Sequence, residues 1–191
     1  MVFNMKTEQL IISEKQIIKS SDNKVVMHEW EHPIMKSKAE YICQNGGDIL
    51  EIGFGMGISA SYIQQHNINS HTICEIHPQI IKNLHEWNQD KSNVIILEGD
   101  WIDNINQMGK YDGILFDTFE DTVNATQFPN LLNKICKPGC LVTWWNNLPR
   151  EYDEFMFSDT QFQTMDVDPP QNTYFNHKTY YMPKYIHMNL I

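Results

Sequence analysis

Carboxylates and glycines stand at the points in this sequence where short apolar segments end. Three alternating glycines, Gly53, Gly55 and Gly57, follow the first of these segments. Glu75 closes the next segment, and Asp117 closes a later one. Alternating glycines let a backbone approach a ligand closely, and a carboxylate accepts hydrogen bonds from the hydroxyls of a ribose. Together they predict a nucleoside site, whereas the glycine run alone is equally typical of a tight strand-to-helix turn without a ligand.

The spacing of the glycines indicates which nucleoside to expect. It lacks the Gly-x-Gly-x-x-Gly fingerprint that packs a pyrophosphate against a helix, and the sequence contains no Walker pattern. S-adenosylmethionine carries no phosphate and needs no such cradle. The sequence therefore favours S-adenosylmethionine over a dinucleotide as the cofactor.

The elements that must position these residues are short strands separated by helices. Apolar segments alternate with stretches of helical periodicity, which is typical of an α/β fold with a doubly wound, mostly parallel sheet. We expect one or two short helices within residues 1–25 and a hairpin-like pair of strands at the sheet edge near the end of the chain. Strands are predicted at 48–52, 72–75, 94–97, 113–117, 140–145, 162–167 and 178–187, and helices from residue 33, after residue 57, and at 78–87 and 127–136.

Composition restricts the class of protein. The 191 residues suit one domain, and 14 Lys and Arg against 24 Asp and Glu give a formal net charge of −10, which argues against a nucleic-acid partner. No apolar run approaches a membrane span, so we expect no membrane partner and a cytoplasmic location.

We expect buried, reduced thiols and no metal, because the cysteines lack zinc-ligand spacing. They are Cys43, Cys74, Cys136 and Cys140.

Two short boxes are more distinctive than the glycine run. One is Trp-Glu-x-Pro-x-Met at 30–35, and the other is Phe-Asp-Thr-Phe at 116–119. Further collinear blocks lie at 26–29, 50–58, 71–78, 99–101, 111–115, 137–139 and 180–183. Through these blocks the chain resembles guanidinoacetate methyltransferase and its relative, the fungal and plant arginine δ-N-methyltransferase. The resemblance implies a Rossmann-like class I methyltransferase fold, with a seven-stranded sheet that includes a C-terminal antiparallel strand.

The resemblance also implies roles for individual residues. Glu31 and Asp117 are implied to grip the guanidino group of a small-molecule or peptidyl substrate, and Asn147 and Leu148 to contact its far end through backbone. Asp117 is implied to touch the cofactor as well. The other implied cofactor contacts are Met27, Met35, Phe54, Gly55, Met56, Gly57, Ile58 and Ser59 around the loop, Glu75, Ile76 and His77 at the ribose, and Trp101 and Ile102 near the adenine.

The chemistry of a guanidinium agrees with two carboxylates. With a pKa above about 12 it is a poor nucleophile until it loses a proton, so methylation needs acceptors that fix its planar fork and take that proton. Trp30, Phe116 and Phe119 are candidates to exclude water. Glu31 is also typical of an ordinary acid in the first turn of a helix. Two alternatives stay open: a methyltransferase of another small amine or acid, and a cofactor-binding protein without catalysis.

The chain departs from guanidinoacetate methyltransferase in two regions. Residues 1–25 contain no tryptophan to fold over the site, and the region 146–167 is shorter than in guanidinoacetate methyltransferase. What carries the guanidino group therefore stays open: a free acid, arginine, a peptide or another amidine. We expect an N-terminal arm or lid at residues 1–32 and a single methyltransferase domain at 33–191.

Overall fold

A computed structural model describes residues 7–121, 124–171 and 173–188. Its strands are β1 (Leu10–Ile12), β2 (Gln16–Lys19), β3 (Val25–His28), β4 (Asp48–Ile52), β5 (Ser70–Glu75), β6 (Val94–Glu98), β7 (Tyr111–Phe116), β8 (Cys136–Trp144), β9 (Gln161–Asp166) and β10 (Thr179–His187). Its α-helices are α1 (His32–Cys43), α2 (Ile58–Ile63), α3 (Pro78–Trp87), α4 (Trp101–Asn104) and α5 (Phe128–Ile135).

Seven strands form the main sheet, in the order β6-β5-β4-β7-β8-β10-β9. Neighbouring strands from β6 to β8 run parallel, and β10 lies antiparallel to both β8 and β9. The chain enters the sheet at β4, moves out to β6 and returns on the other side of β4 through β7. The predicted α/β class, the doubly wound sheet and the antiparallel strand near the C-terminus are confirmed.

Apolar residues face both sides of the sheet, because its inner strands are covered by helices on each face. Leu50, Ile114 and Val142 pack with α4 and α5 on one face. Their neighbours in sequence, Ile49 and Leu115, pack with α1 on the other. All four cysteines are free and buried, as expected. None of the helices in the described part of the chain has the length and apolar character needed to cross a bilayer.

The expected short helices within residues 1–25 are wrong for the described part of that segment. Residues 10–28 form a second, antiparallel sheet in the order β1-β2-β3. Its strands are rich in β-branched residues, which favour a pleated surface, and Asn23 with φ +58° lies in the turn before β3. Leu10 and Ile17 are buried against Phe54 in a third apolar cluster. Packing against the main domain thus stabilises strands that are too short to be stable alone.

Candidate active site

The site lies where the order of the main sheet reverses, between the carboxyl ends of β4 and β7. Gly53 follows β4 with φ +94°, and a Cβ there would lie 2.0 Å from the backbone oxygen of Asp117. The Asp117 N–H donates a hydrogen bond of 2.9 Å to the Ile52 carbonyl. Because only glycine leaves room for this approach, Gly53 fixes where the Asp117 side chain enters the site.

The loop between β4 and α2 is covered by β3. A Cβ on Gly55 would lie 2.5 Å from Met27 Sδ, and the Met56 N–H donates to the same sulfur at 3.2 Å. Gly57 has φ +71°, which brings its Cα against the Phe54 ring at the start of α2. Four of the residues expected around the cofactor belong to one apolar cluster: Met27, Met35, Phe54 and Ile58.

Ser59 does not face the mouth of this loop. Its hydroxyl donates a hydrogen bond to Glu51, which is completely buried in β4. The expected contact of Ser59 with the cofactor is therefore left to its backbone in this conformation.

Glu75 is held rigidly at the carboxyl end of β5. Its Oε2 accepts the Phe54 N–H, and its Oε1 accepts the N–H groups of Ile76 and His77, each at 2.8 Å. An ionised carboxylate offers about four acceptor positions, so about one is left for a hydroxyl group. The remaining acceptor position of Glu75 thus fits one ribose hydroxyl. A second hydroxyl would require one of the three backbone hydrogen bonds to break.

The remaining residues expected near the cofactor follow β5 or begin α4 after β6. The side chains of three of them have other partners. His77 caps α3 by accepting the Gln79 N–H through Nδ1 at 3.2 Å. The indole N–H of Trp101 donates to Asp121 at 2.9 Å, and its ring packs in the core. Ile102 packs against the same cluster. Their proposed contacts with ribose and adenine therefore stay predictions.

Glu31 is buried although it precedes the main sheet in sequence. It ends a short 3-10 helix, Glu29–Glu31, and its side chain is 3% exposed. Its Oε1 accepts the His28 N–H at 2.9 Å and the hydroxyl of Tyr174. The capping interaction of the helix therefore turns the Glu31 carboxylate inward, toward the region entered by Asp117.

Burial raises the pKa of Glu31 from an ordinary 4.5 to about 7, and the negative charge of Asp117 adds to the rise. Hydrogen bonds from Tyr174 and His28 and the charge of Lys38 oppose this rise. A carboxylate with a pKa near neutrality is suited to accepting a proton at physiological pH. The charge of Asp117 thus acts on Glu31 in the folded chain, and the joint role in substrate binding that the resemblance implies for the two carboxylates stays a prediction.

This pKa shift predicts a pH dependence of stability. The folded chain binds the Glu31 proton more tightly than the unfolded chain does, so the stability that this proton confers is complete below pH 4.5 and is lost as pH rises to about 7. The loss amounts to about 3 kcal/mol. We expect denaturant unfolding at pH 4.5 and pH 8 to show this decline in the wild type relative to Glu31→Gln, which cannot ionise. Parallel pH profiles of the two proteins would contradict the shift.

Lys38 is a residue of the site that the sequence analysis missed. Its side chain is completely buried on α1, and Nζ lies 3.0 Å from Asp117 Oδ2. The signal in the sequence is its position four residues after Ile34, on the stripe of α1 that also buries Ile42. A lysine on a buried stripe requires a counter-ion, and Asp117 provides it.

Aromatic rings pack around Tyr174, whose hydroxyl donates a hydrogen bond to Glu31. Trp30 stacks on Phe175 with ring centroids 5.9 Å apart and also contacts Trp145 and Tyr174 at 6.2 Å. Trp30 therefore packs among these rings, and its role in excluding water stays a prediction. Phe116 is a core residue that also lines the neighbouring cavity. The ring of Phe119 packs against Lys24, whose Nζ lies 5.1 Å from the ring centroid. No contact of Phe119 with the rings around Trp30 is seen in the described residues.

A cavity of about 310 Å³ opens beside Asp117, beyond the end of β7. Asn147 lines it and is exposed. The Leu148 N–H donates to the buried side chain of Asn146 at 2.9 Å, so only its carbonyl is left for a substrate. The other lining residues are Phe116, Thr118, Glu120, Asp121, Ala125, Thr126, Trp145, Glu154 and Phe155.

The strand order and the glycine loop define a class I methyltransferase fold. Among solved structures, the chain is similar to a spermidine synthase from Thermotoga maritima, with a TM-score of 0.68 at 15% identity over 93% of this chain and 72% of that one. It is also similar to the N-methyltransferase NodS from Bradyrhizobium japonicum, with a TM-score of 0.60 at 12% identity over 84% and 97% of the two chains. The model of the guanidinoacetate N-methyltransferase family matches residues 16–175, and the chain belongs to this family.

Curated relatives agree with this family. Protein arginine N-methyltransferase 2 from Candida glabrata is 31% identical over 92% of this chain and 50% of its own length. The protein of the same name from Saccharomyces cerevisiae is 31% identical over 94% of this chain and 52% of its own length. The chain thus spans about half the length of these relatives.

Proposed function

We propose that this protein is an S-adenosylmethionine-dependent N-methyltransferase of a guanidino group. The observation that carries the proposal is the burial of the Glu31 carboxylate, which together with the charge of Asp117 raises its pKa to about 7. Membership in the guanidinoacetate N-methyltransferase family supports the same reaction. The names of the curated relatives favour an arginine-type guanidino group over a guanidino acid.

The cofactor would be held by the Gly53–Gly57 loop and Glu75, and it supplies a methyl group already activated on a sulfonium. Glu31 and Asp117 bind the guanidinium fork and orient one nitrogen. Glu31 takes the proton that this nitrogen must lose, because its pKa lies near neutrality. The rings of Trp30, Trp145 and Tyr174 keep water from the buried Glu31 carboxylate and strengthen its interactions.

We also propose that residues 1–32 act as an arm that covers the site. Met27 of β3 rests on the glycine loop, and Glu31 follows directly from this segment. The same segment thus contributes contacts on the cofactor side and on the substrate side. An arm with this placement couples binding of the two ligands.

A small-molecule or peptidyl guanidino substrate is supported over a nucleic acid by the net charge of −10. Four buried free thiols support a reducing compartment, and we propose the cytoplasm.

Calorimetry and an acceptor screen test the proposed function. We expect heat on titration with S-adenosylmethionine and with S-adenosylhomocysteine, and weaker binding by about 1–3 kcal/mol in Glu75→Ala, the scale for hydrogen bonds to a charged group. Gly109→Ala is the matched control, since a Cβ there meets nothing within 4 Å. The screen offers free arginine, guanidinoacetate and an arginine peptide beside simple amines. Absence of cofactor binding, or methylation of amines alone, would refute the proposal.

A further inference from the structure

Lys38 places a cation of the chain itself beside the proposed guanidinium site. Its Nζ lies 3.0 Å from Asp117 Oδ2, 4.8 Å from the centroid of the Trp145 ring and 5.9 Å from that of Tyr180. A carboxylate combined with aromatic faces is an environment that binds organic cations. The side chain is completely buried, so the ammonium group belongs to the interior and not to a solvated surface.

The charge of Lys38 changes what the two carboxylates can do. With Glu31 and Asp117 ionised, Lys38 leaves the group with one net negative charge instead of two. A bound guanidinium is stabilised by each carboxylate and destabilised by the ammonium, since like charges disfavour each other. Lys38 also occupies Oδ2 of Asp117, so a substrate meets a carboxylate that is already oriented.

A site with two uncompensated carboxylates would bind the guanidinium cation tightly but would also hold its proton. Methyl transfer instead requires the reacting nitrogen to lose a proton, because its lone pair is free only after that proton has left. The ammonium of Lys38 offsets part of the negative charge, disfavours the cationic form of the substrate and so favours loss of its proton. It therefore weakens binding of the cation and favours turnover.

We propose that Lys38 is a positioning residue that fixes Asp117 and limits the negative charge of the guanidinium site. This inference rests on the proposed function. In the proton step, a guanidinium nitrogen loses its proton to a Glu31 oxygen and keeps the electron pair. That pair would then form the bond to the methyl carbon as the methyl–sulfur bond breaks, leaving the electrons of that bond on the sulfur of S-adenosylhomocysteine. Lys38 itself transfers nothing.

The groups that face Glu31 and Lys38 come from several elements. Tyr174 donates to Glu31, Tyr180 on β10 lies beneath Lys38, and Asp117 follows β7. Burial raises the pKa of both tyrosines well above 10, so they stay protonated at neutral pH. The charge of Lys38 lowers the pKa of Glu31, and removing that charge is expected to raise it.

The first test is equilibrium binding with S-adenosylhomocysteine present. The probes are acetyl-arginine amide and its ureido counterpart, acetyl-citrulline amide, which differ in the charge of the group that enters the site. Lys38→Met keeps the apolar stem and removes the charge, whereas Lys38→Arg keeps the charge. We expect Lys38→Met to bind the arginine compound about tenfold more tightly, the factor that corresponds to one pKa unit, with citrulline binding unchanged. Lys38→Arg is expected to bind like the wild type.

The second test is the split between KM and kcat. We expect Lys38→Met to lower both KM and kcat for the arginine compound and to move the acidic limb of the pH profile to higher pH. A lysine that served only to fill space would leave that limb in place. If the methionine variant does not fold, Lys38→Gln removes the same charge with a polar end.

Specific outcomes would overturn the inference. Binding of the arginine compound by Lys38→Met that is equal to or weaker than in the wild type contradicts it, as does the absence of arginine binding in both proteins. Equal behaviour of Lys38→Met and Lys38→Arg also contradicts it. Failure of the proposed function is visible separately, because a wild-type protein that binds the arginine compound but methylates none of the acceptors refutes that function while the binding contrast still tests Lys38.

Discussion

Replacement of Asp117 by Asn is expected to reduce turnover of a guanidino substrate by about 10²-fold or more, because Asp117 orients the guanidinium for loss of its proton to Glu31 and general acid–base catalysis contributes on this scale. The change keeps the size of the side chain but removes the charge that pairs with Lys38 and holds the guanidinium. Initial rates and cofactor calorimetry on the same preparation measure the effect. We expect cofactor affinity to change little. The glycine loop packs against the backbone of Asp117 at Gly53, and the substitution leaves that backbone unchanged.

The matched control is Asp112→Asn, at the other end of β7. Asp112 also pairs with a lysine, at 2.6 Å from Lys137 Nζ, but lies away from the site. Both variants lose an ion pair and are expected to unfold at lower denaturant concentration. Only Asp117→Asn is expected to lose turnover. Equal rates in the two variants would show that Asp117 acts through stability and not through the substrate.

Replacement of Gly53 by Ala is expected to destabilise the fold by at least about 3 kcal/mol, because backbone strain and a forced contact add together. The new Cβ would lie 2.0 Å from the Asp117 carbonyl oxygen, and φ +94° is unfavourable for alanine. Relief requires the ends of β4 and β7 to move apart, which displaces the Asp117 side chain. The free energy of unfolding, measured with denaturant, and the turnover rate are therefore expected to fall together.

Substitutions at two other glycines separate the cost of backbone strain from the cost of the close contact at Gly53. Gly139 has φ +80° with nothing within 4 Å of a new Cβ, so Gly139→Ala reports the cost of the backbone conformation alone. Gly109 has neither a positive φ nor a neighbour within that distance, and Gly109→Ala is expected to be close to neutral. If Gly53→Ala is no more destabilising than Gly139→Ala, the close approach of β4 and β7 does not matter for stability.

The sheet was predictable because its strands are continuous apolar segments that end in glycine or acidic residues. The same regularity placed Gly53, Glu75 and Asp117 at one edge, since the carboxyl ends of parallel strands meet there. Glu31 is different: nothing local to residues 28–32 indicates that its carboxylate is buried. Its pairing with Asp117 came from the resemblance to a family and not from periodicity.

The features that the sequence did not reveal depend on contacts between distant segments. Residues 10–28 read as short helices because their strands have only three or four residues, and it is packing against Phe54 that favours the sheet. Lys38 lies on the apolar stripe of α1, but its counter-ion is not evident until the fold brings Asp117 to its ammonium. Tyr174 has no sequence signal, because its hydroxyl meets Glu31 across 143 positions of the chain.

Transfer of a labelled methyl group tests the central claim most directly. The protein is incubated with methyl-labelled S-adenosylmethionine and a mixture of free arginine, guanidinoacetate and an arginine peptide. The amines that remain when the amidino group is removed, ornithine, glycine and an ornithine peptide, are added in equal amounts. We expect mass spectrometry to find the label on a guanidino nitrogen and none on the amines, because the pair of Glu31 and Asp117 matches the fork of a guanidinium. Label on an amine with none on any guanidino compound would contradict the account.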